Sequence, residues 1–434
     1  MTKSQKPGWK NRQKKGSSAK NATLREWPLE SEIGALEVSL YGTATKGMKA
    51  KQRVLSWDLQ DLQASLVQEM SYRKAASMLN RQLHRTSEFE FSHTTLKEWA
   101  ESFGQSISQG YLKKAESILE DNGFNKDSGQ IEQGKTLSPT LANPNLPPTI
   151  NEKTARQLIA EYNRDKSTEH KIKYNDLVKG VESSAKHCCY ISIDDVGVKF
   201  QKESRISRKS IGKKRRYVEN TVIHIQTESI EYTLTAVGMN AAFKQLLAFL
   251  IDNHIIENNR LIFMTDGATN IKEHIETFFS FRPYTIILDW LHLEKKVLEY
   301  TSMALKGSRE NKAIQRRPIL GFLWTGNIQK AIRYISDIPL RDIRRPDLLK
   351  ELVNYLERKS PMQTCYALRK SMGLRNSSNR VEKDNDLIVA SRQKHNGMSW
   401  SKSGSAALAS ISVAKKNNEL SNWIEDGIIR FCVA

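Results

Sequence analysis

Residues 261–270 read LIFMTDGATN. Leu261 to Met264 are apolar and run into Asp266-Gly267, so the stretch reads as a buried strand that ends on a carboxylate, although Asp-Gly is also ordinary turn chemistry. Working outward, CCYISID (188–194), VENTVIHIQTE (218–228) and YTLTAVG (232–238) are rich in β-branched and aromatic residues and form three meander-like strands. Helical spacing follows over 241–255, then the strand LIFMTDG, a helix over 271–279 and a strand YTIILD at 284–289. The pattern predicts an α/β domain, a mixed sheet flanked by helices. Beyond Asp289 the chain is helical almost throughout, with Leu348, Leu349, Leu352, Val353 and Leu356 on one side of a helix that starts near Asp347.

Charge narrows the partner. The 434 residues carry 68 Lys and Arg against 48 Asp and Glu, a net +20, which points to a polyanion and first to nucleic acid, because neutralising phosphates releases counterions. No apolar run approaches about 18 residues and no apolar core follows the basic N-terminus, so neither a membrane span nor a secretory signal is expected and a cytoplasmic, nucleoid-associated protein is. Cys188 and Cys189 are adjacent while Cys365 and Cys432 stand alone, which gives no disulfide framework and no zinc spacing; reduced structural thiols are expected.

Residues 1–25 hold many bases and no acid and read as a flexible basic tail, either solubilising or a phosphate-binding arm. Residues 50–125 read as a helical DNA-binding domain. Ser71 caps a helix with Tyr72, Ala75, Ala76 and Leu79 on one face, and Ser92 caps a second with Leu96, Trp99 and Phe103. In a helix-turn-helix the second helix would offer His93, Thr94, Thr95, Lys97 and Glu98 to the major groove; a small packing domain is the plain alternative. Pro139, Pro144, Pro147 and Pro148 mark 126–152 as a linker, 153–187 as a helical connector, and 188–430 as the catalytic domain.

Asp194 and Asp266 close their strands, and if those strands are neighbours both carboxylates emerge at one sheet edge. Glu382, on a late helix, can complete the set. Three close carboxylates repel, so the arrangement calls for cations, and all-oxygen ligands favour two Mg²⁺ or Mn²⁺ ions that activate an attacking oxygen and hold a phosphate between them. Asp195 competes with Asp194; strand alternation from Ile191 and Ile193 favours Asp194.

Here the chain resembles a family. Asp194, Asp266-Gly267, a helical segment and Glu382 follow the order of the catalytic DDE core of RNase H-like transposases, specifically bacterial Mutator-like insertion-sequence elements such as the ISKra and ISLre groups. Val381-Glu382, Arg392, Lys394 and Gly397-Met398-Ser399-Trp400 match the pattern VE, R-x-K-x-x-G-M-x-W, and Asp289-Trp290-Leu291-His292 is similar to the C/D-x-x-H motif after the second aspartate. Where the family often has Gly-Ser-Gly before VE, this chain has Asn376-Ser377-Ser378-Asn379-Arg380. The resemblance implies an RNase H-like sheet with an all-helical insertion at about 300–375, and a DNA transposase that cuts element ends and joins them to target DNA. Such work needs double-stranded DNA and at least a dimer. The alternatives are an inactive transposase-derived DNA-binding protein and a structure-selective nuclease.

Several further residues are expected at DNA. Lys213, Lys214, Arg215 and Arg216 lie in a basic loop between the first two strands. Arg392 and Lys394 could hold a phosphate near Glu382. Trp400 could stack on an unpaired base or be core, and His292 could contact DNA or simply be packed.

Overall fold

A computed structural model describes residues 24–31, 34–41, 54–83, 90–167, 170–174, 181–201, 217–394 and 398–431. The expected basic loop residues Lys213 to Arg216, Gly397, Cys432 and most of the tail lie outside the described residues. Five strands form the central sheet: β4 (Cys188–Lys199), β5 (Tyr217–Gln226), β6 (Glu231–Val237), β7 (Arg260–Thr265) and β8 (Tyr284–Leu288). Their spatial order is β6-β5-β4-β7-β8. The first three are an antiparallel meander, as the sequence predicts, and β7 and β8 run parallel to β4. Only β5 opposes the rest. That mixed, helix-flanked sheet is compatible with the RNase H-like architecture.

Helices cover both faces. On one face α5 (Met239–Asp252) packs its apolar run beside α6 (Thr269–Phe279), and Phe249 stacks on Tyr232 at 4.3 Å. The other face receives α12 (Asn379–Asn385), whose Asp384 accepts from Thr233, and α13 (Lys402–Lys416), which touches Thr233 and Asn220 through Lys416 and Ser405. Between β8 and α12 the chain is helical: α7 (Trp290–Ala304), α8 (Arg309–Trp324), α9 (Ile328–Ser336), α10 (Pro346–Lys359) and α11 (Tyr366–Ser371).

The N-terminal region brings helices and strands. Ahead of the sheet stand α1 (Trp57–Glu69), α2 (Tyr72–Leu83), α3 (His93–Asp121) and α4 (Glu152–Asn163). Ser92 caps α3 as predicted, its Oγ accepting from the Thr95 N–H at 3.0 Å. α3 then continues for 29 residues, far past a recognition helix. Leu59, Leu79, Leu96 and Ile107 share one continuous core with Ile191, Val222 and Phe263. The crossing of α3 with α13 is tight: a Cβ on Gly104 would sit 2.2 Å from the Ala407 carbonyl oxygen. Residues 126–152 lie along the same body, where Arg260 donates to the Pro147 carbonyl and Gly129 abuts Phe278.

Three strands lie where the sequence reading places none. β1 (Leu24–Ser31) pairs antiparallel with β2 (Gly34–Tyr41), and a short β3 (Val54–Leu55) joins β1. The tail reading of 1–25 therefore ends two residues too late, since Leu24 and Arg25 are strand. Leu36, Val38 and Leu40 alternating with Glu37 and Ser39 are the signal that could have shown it.

Candidate active site

The β4–β7 ladder sets the first two carboxylates. Its register advances from Cys188↔Arg260 to Ser192↔Met264. Two residues further on each strand stand Asp194 and Asp266, at the same level where β7 ends. β4 continues to Lys199, so Asp194 does not end its strand as the sequence suggests; it marks the point where β4 loses β7 as a neighbour. Beyond it the Trp400 backbone takes over, its N–H donating to the Lys199 carbonyl and its own carbonyl accepting from Gln201.

The neighbouring aspartate faces elsewhere. Asp195 Oδ1 accepts from Thr221 Oγ1 at 2.7 Å, whereas Asp194 feels the charges of Asp266 and His292. Burial, more than any neighbour, pushes the Asp194 carboxyl up to about 6, and the Asp266 charge adds to it. Asp266 is exposed and folds into a tight turn, Oδ1 accepting from the Ala268 N–H at 2.7 Å while Gly267 adopts φ +85°, a conformation that favours glycine. Lys359, from the end of α10, donates to the Gly267 carbonyl and so ties the helical insertion to this turn.

The third acid arrives through a clasp. Asp289 caps α7, accepting the His292 N–H at 2.9 Å. Its other oxygen accepts from the Ser378 N–H and, at 2.6 Å, from Ser378 Oγ. Trp290 N–H donates to the Asn376 carbonyl at 3.0 Å. These contacts pin the segment that opens α12 against the end of β8. Burial alone would raise the Asp289 carboxyl, but the bonds from His292 and Ser378 outweigh it and hold it below the usual range. Asp289 is 1% exposed, so it positions rather than reacts.

His292 links the set. Its Nδ1 lies 3.5 Å from Asp289 Oδ1 and its Nε2 3.7 Å from Glu382 Oε1. The adjacent Asp289 carboxylate, and then the Glu382 and Asp266 charges, raise its pKa above the usual imidazole range. A residue the sequence did not flag joins on the same helix: Asn385, one turn past Glu382, donates to Asp194 Oδ2 at 2.5 Å. Helical spacing of three from the acid was the available signal.

Among the described residues, no three His, Cys, Asp or Glu side chains are gathered closely enough to hold a metal ion. The donor chemistry nonetheless suits a hard cation. Asp266 Oδ2 accepts no hydrogen bond from the described residues, the Glu382 side chain is 53% exposed and free to turn from His292, and the raised Asp194 pKa is the strain that a positive charge relieves.

Two residues considered for DNA contact are buried, Trp400 in keeping with its core alternative. Arg392 and Trp400 are 4% and 5% exposed, too buried to meet a phosphate or a base. The Arg392 guanidinium lies 5.4 Å from the Tyr72 ring centre and 5.1 Å from that of Trp400, and its Nε donates to the Val67 carbonyl at 2.8 Å. They bolt α1 and α2 to the sheet domain. The chain between Glu382 and Arg392 passes through a π-helical turn at Asp386–Ala390, which shifts the helical phase and turns Arg392 inward. Lys394, Thr94, Thr95 and Lys97 are exposed, although Thr95 bonds Ser92 and Lys97 pairs with Glu101 at 3.7 Å. Cys188, Cys189 and Cys365 are buried free thiols; burial pushes Cys188 and Cys365 up to about 11, in keeping with structural roles.

No protein-family model matches the chain, and no curated protein sequence does. Among solved structures, a Drosophila P element transposase strand transfer complex aligns with 89% of this chain and 85% of its own at 10% identity, with a TM-score of 0.24. A TM-score of that size does not establish a shared fold. No described helix is long and apolar enough to cross a membrane.

Proposed function

We propose that the protein is a DNA transposase of the DDE type, cutting phosphodiesters at element ends and transferring the freed strands into target DNA. One observation carries the reading: Asp194 and Asp266 stand level where β4 and β7 part, and His292, which feels the Asp266 charge, lies 3.7 Å from Glu382 on α12. Asp194, Asp266 and Glu382 would hold divalent ions. Mg²⁺ or Mn²⁺, bound as a pair, would supply activation of the attacking oxygen and neutralisation of the phosphate. Asn385 fixes the rotamer of Asp194, Asp289 fixes His292, and the imidazole, with its raised pKa, places positive charge where a phosphate would otherwise meet only carboxylates. Joining two ends to one target requires two or more copies on double-stranded DNA.

The test is incubation of the full chain with duplexes carrying the DNA that flanks its gene, with Mg²⁺. The wild-type protein should nick at inverted ends. Asp266→Asn should bind the same duplex and lose at least about 10²–10³-fold in cutting, the scale of removing one preorganised electrostatic partner. Mg²⁺-dependent nicking that survives in this variant would refute the assignment. A second reading, a DNA-binding protein without chemistry, draws on the absence of a gathered triad among the described residues; nicking by the wild type rules it out. Nicking without joining, in a strand-transfer assay, would point to a nuclease instead.

A further inference from the structure

Residues 306–345 carry ten Lys and Arg against three acids, about a third of the net +20 on less than a tenth of the chain. The fold gathers many of these charges at one place. α7 leaves the candidate site at Asp289 and ends at Ala304, whose carbonyl accepts from the N–H groups of Arg344 and Arg345 at 2.7 and 3.0 Å. Lys306 N–H donates to the Asp342 carbonyl at 2.8 Å, and Leu305 bridges Ile343. α8 begins here at Arg309 and α10 at Pro346, so two helix N-termini, each with the positive end of its dipole, share this tip. Lys312 and Arg316 reach back to the Ser302 carbonyl and Thr301 Oγ1.

Arg345 pairs with Asp347 at 2.6 Å, but three arginines at this tip have no such partner. Arg309, Arg341 and Arg344 are exposed, and no described carboxylate lies within ion-pair distance of them. Burial and the like charge of Arg309 both lower the Arg316 pKa, a sign of crowding between cations. Exposed arginines that lack acidic partners, set around two helix N-termini, suit compact oxyanions that accept bidentate bonds. The 15 residues of α7 at about 1.5 Å each put the tip roughly 22 Å from Asp289, about six to seven base pairs of duplex DNA.

We propose that the far end of α7, with Arg309, Arg341 and Arg344, is a phosphate grip for double-stranded DNA, holding the backbone about six to seven base pairs from the bond to be cut. The proposal rests on the reading of the site as one that cuts DNA, and it adds the surface that sets the length of substrate. Contacts of this kind fix register and carry no base sequence. An acidic protein partner is the competing occupant, and the salt dependence of binding separates the two.

The experiment compares the full-length wild type with a triple Arg309→Gln, Arg341→Gln, Arg344→Gln variant and with the matching triple Arg→Lys variant, which keeps the charge. The probe is a 30-base-pair duplex, its affinity followed against salt. Three lost phosphate contacts should lower the slope of log affinity against log salt by about 2–3, and the Lys variant should restore it. With duplexes of graded length beyond the wild-type nick, affinity should step up as the flank passes about six to seven base pairs, and the Gln variant should lack that step. A wild-type slope in the Gln variant overturns the grip; a wild-type slope with weakened binding of polyglutamate overturns it in favour of an acidic protein. A lowered slope without the length step overturns its placement. Because the slope needs no cutting, a protein that grips but never nicks sinks the catalytic reading alone.

Discussion

α12 separates two clusters of ionisable groups that the protein treats in opposite ways. On the sheet side, Asp384 accepts from His224 Nδ1 and Thr233 Oγ1, each at 2.8 Å, and pairs with Lys416. Burial would raise that carboxyl, yet the bonds from His224 and Lys416 hold it below its ordinary range. Two residues earlier in the chain, Glu382 lies 3.7 Å from His292, an imidazole that also feels the charges of Asp289 and Asp266, while burial pushes nearby Asp194 up to about 6. One cluster is compensated and secures the fold. The other is left short of positive charge, and a carboxylate cluster kept in that state is where chemistry is expected.

The contrast breaks most sharply in stability. Asp384→Ala should cost about 2–4 kcal/mol in chemical denaturation, because it leaves the buried His224 and Thr233 without their acceptor; a cost below about 1 kcal/mol would mean the network holds little. Asp194→Asn should act the other way, stabilising the metal-free protein on the order of 3 kcal/mol at pH 8. The sign follows from the raised pKa. Folding favours the protonated carboxyl, so its stabilising contribution is complete below the ordinary value of 3.8 and is lost as pH rises through about 6. A neutral amide escapes that loss. The advantage of the variant should therefore vanish near pH 3.5 and be full above pH 7, and denaturation curves in EDTA across that span check it. Asn385→Ala should have the smallest effect, weakening Mn²⁺ binding by about tenfold as Asp194 loses the group that orients it, with the fold intact by circular dichroism.

The two clusters also differ in how far the sequence exposed them. Asp194 and Asp266 were legible because strands alternate and end on turn residues, and the Asp289-x-x-His292 spacing was legible because a cap and its i+3 partner are local. The clasp of Asp289 on Ser378 and the bond from Asn385 to Asp194 span 89 and 191 positions, and no periodicity encodes a contact of that range. The burial of Arg392 was not legible because its bond to the Val67 carbonyl spans 325 positions, and Trp400, open between core and stacking, packs on the similarly remote Tyr72. The meander and the all-helical insertion were both visible as changes of period. The hairpin of β1 and β2 is equally visible in the alternation at 36–40.

Calorimetric titration with Mn²⁺ probes the convergence of the three carboxylates most directly. The wild-type protein should take up two ions, and Asp194→Asn, Asp266→Asn and Glu382→Gln should each lose at least one while keeping the wild-type fold. Four superimposable titrations, or no uptake by the wild type with DNA present, would contradict it.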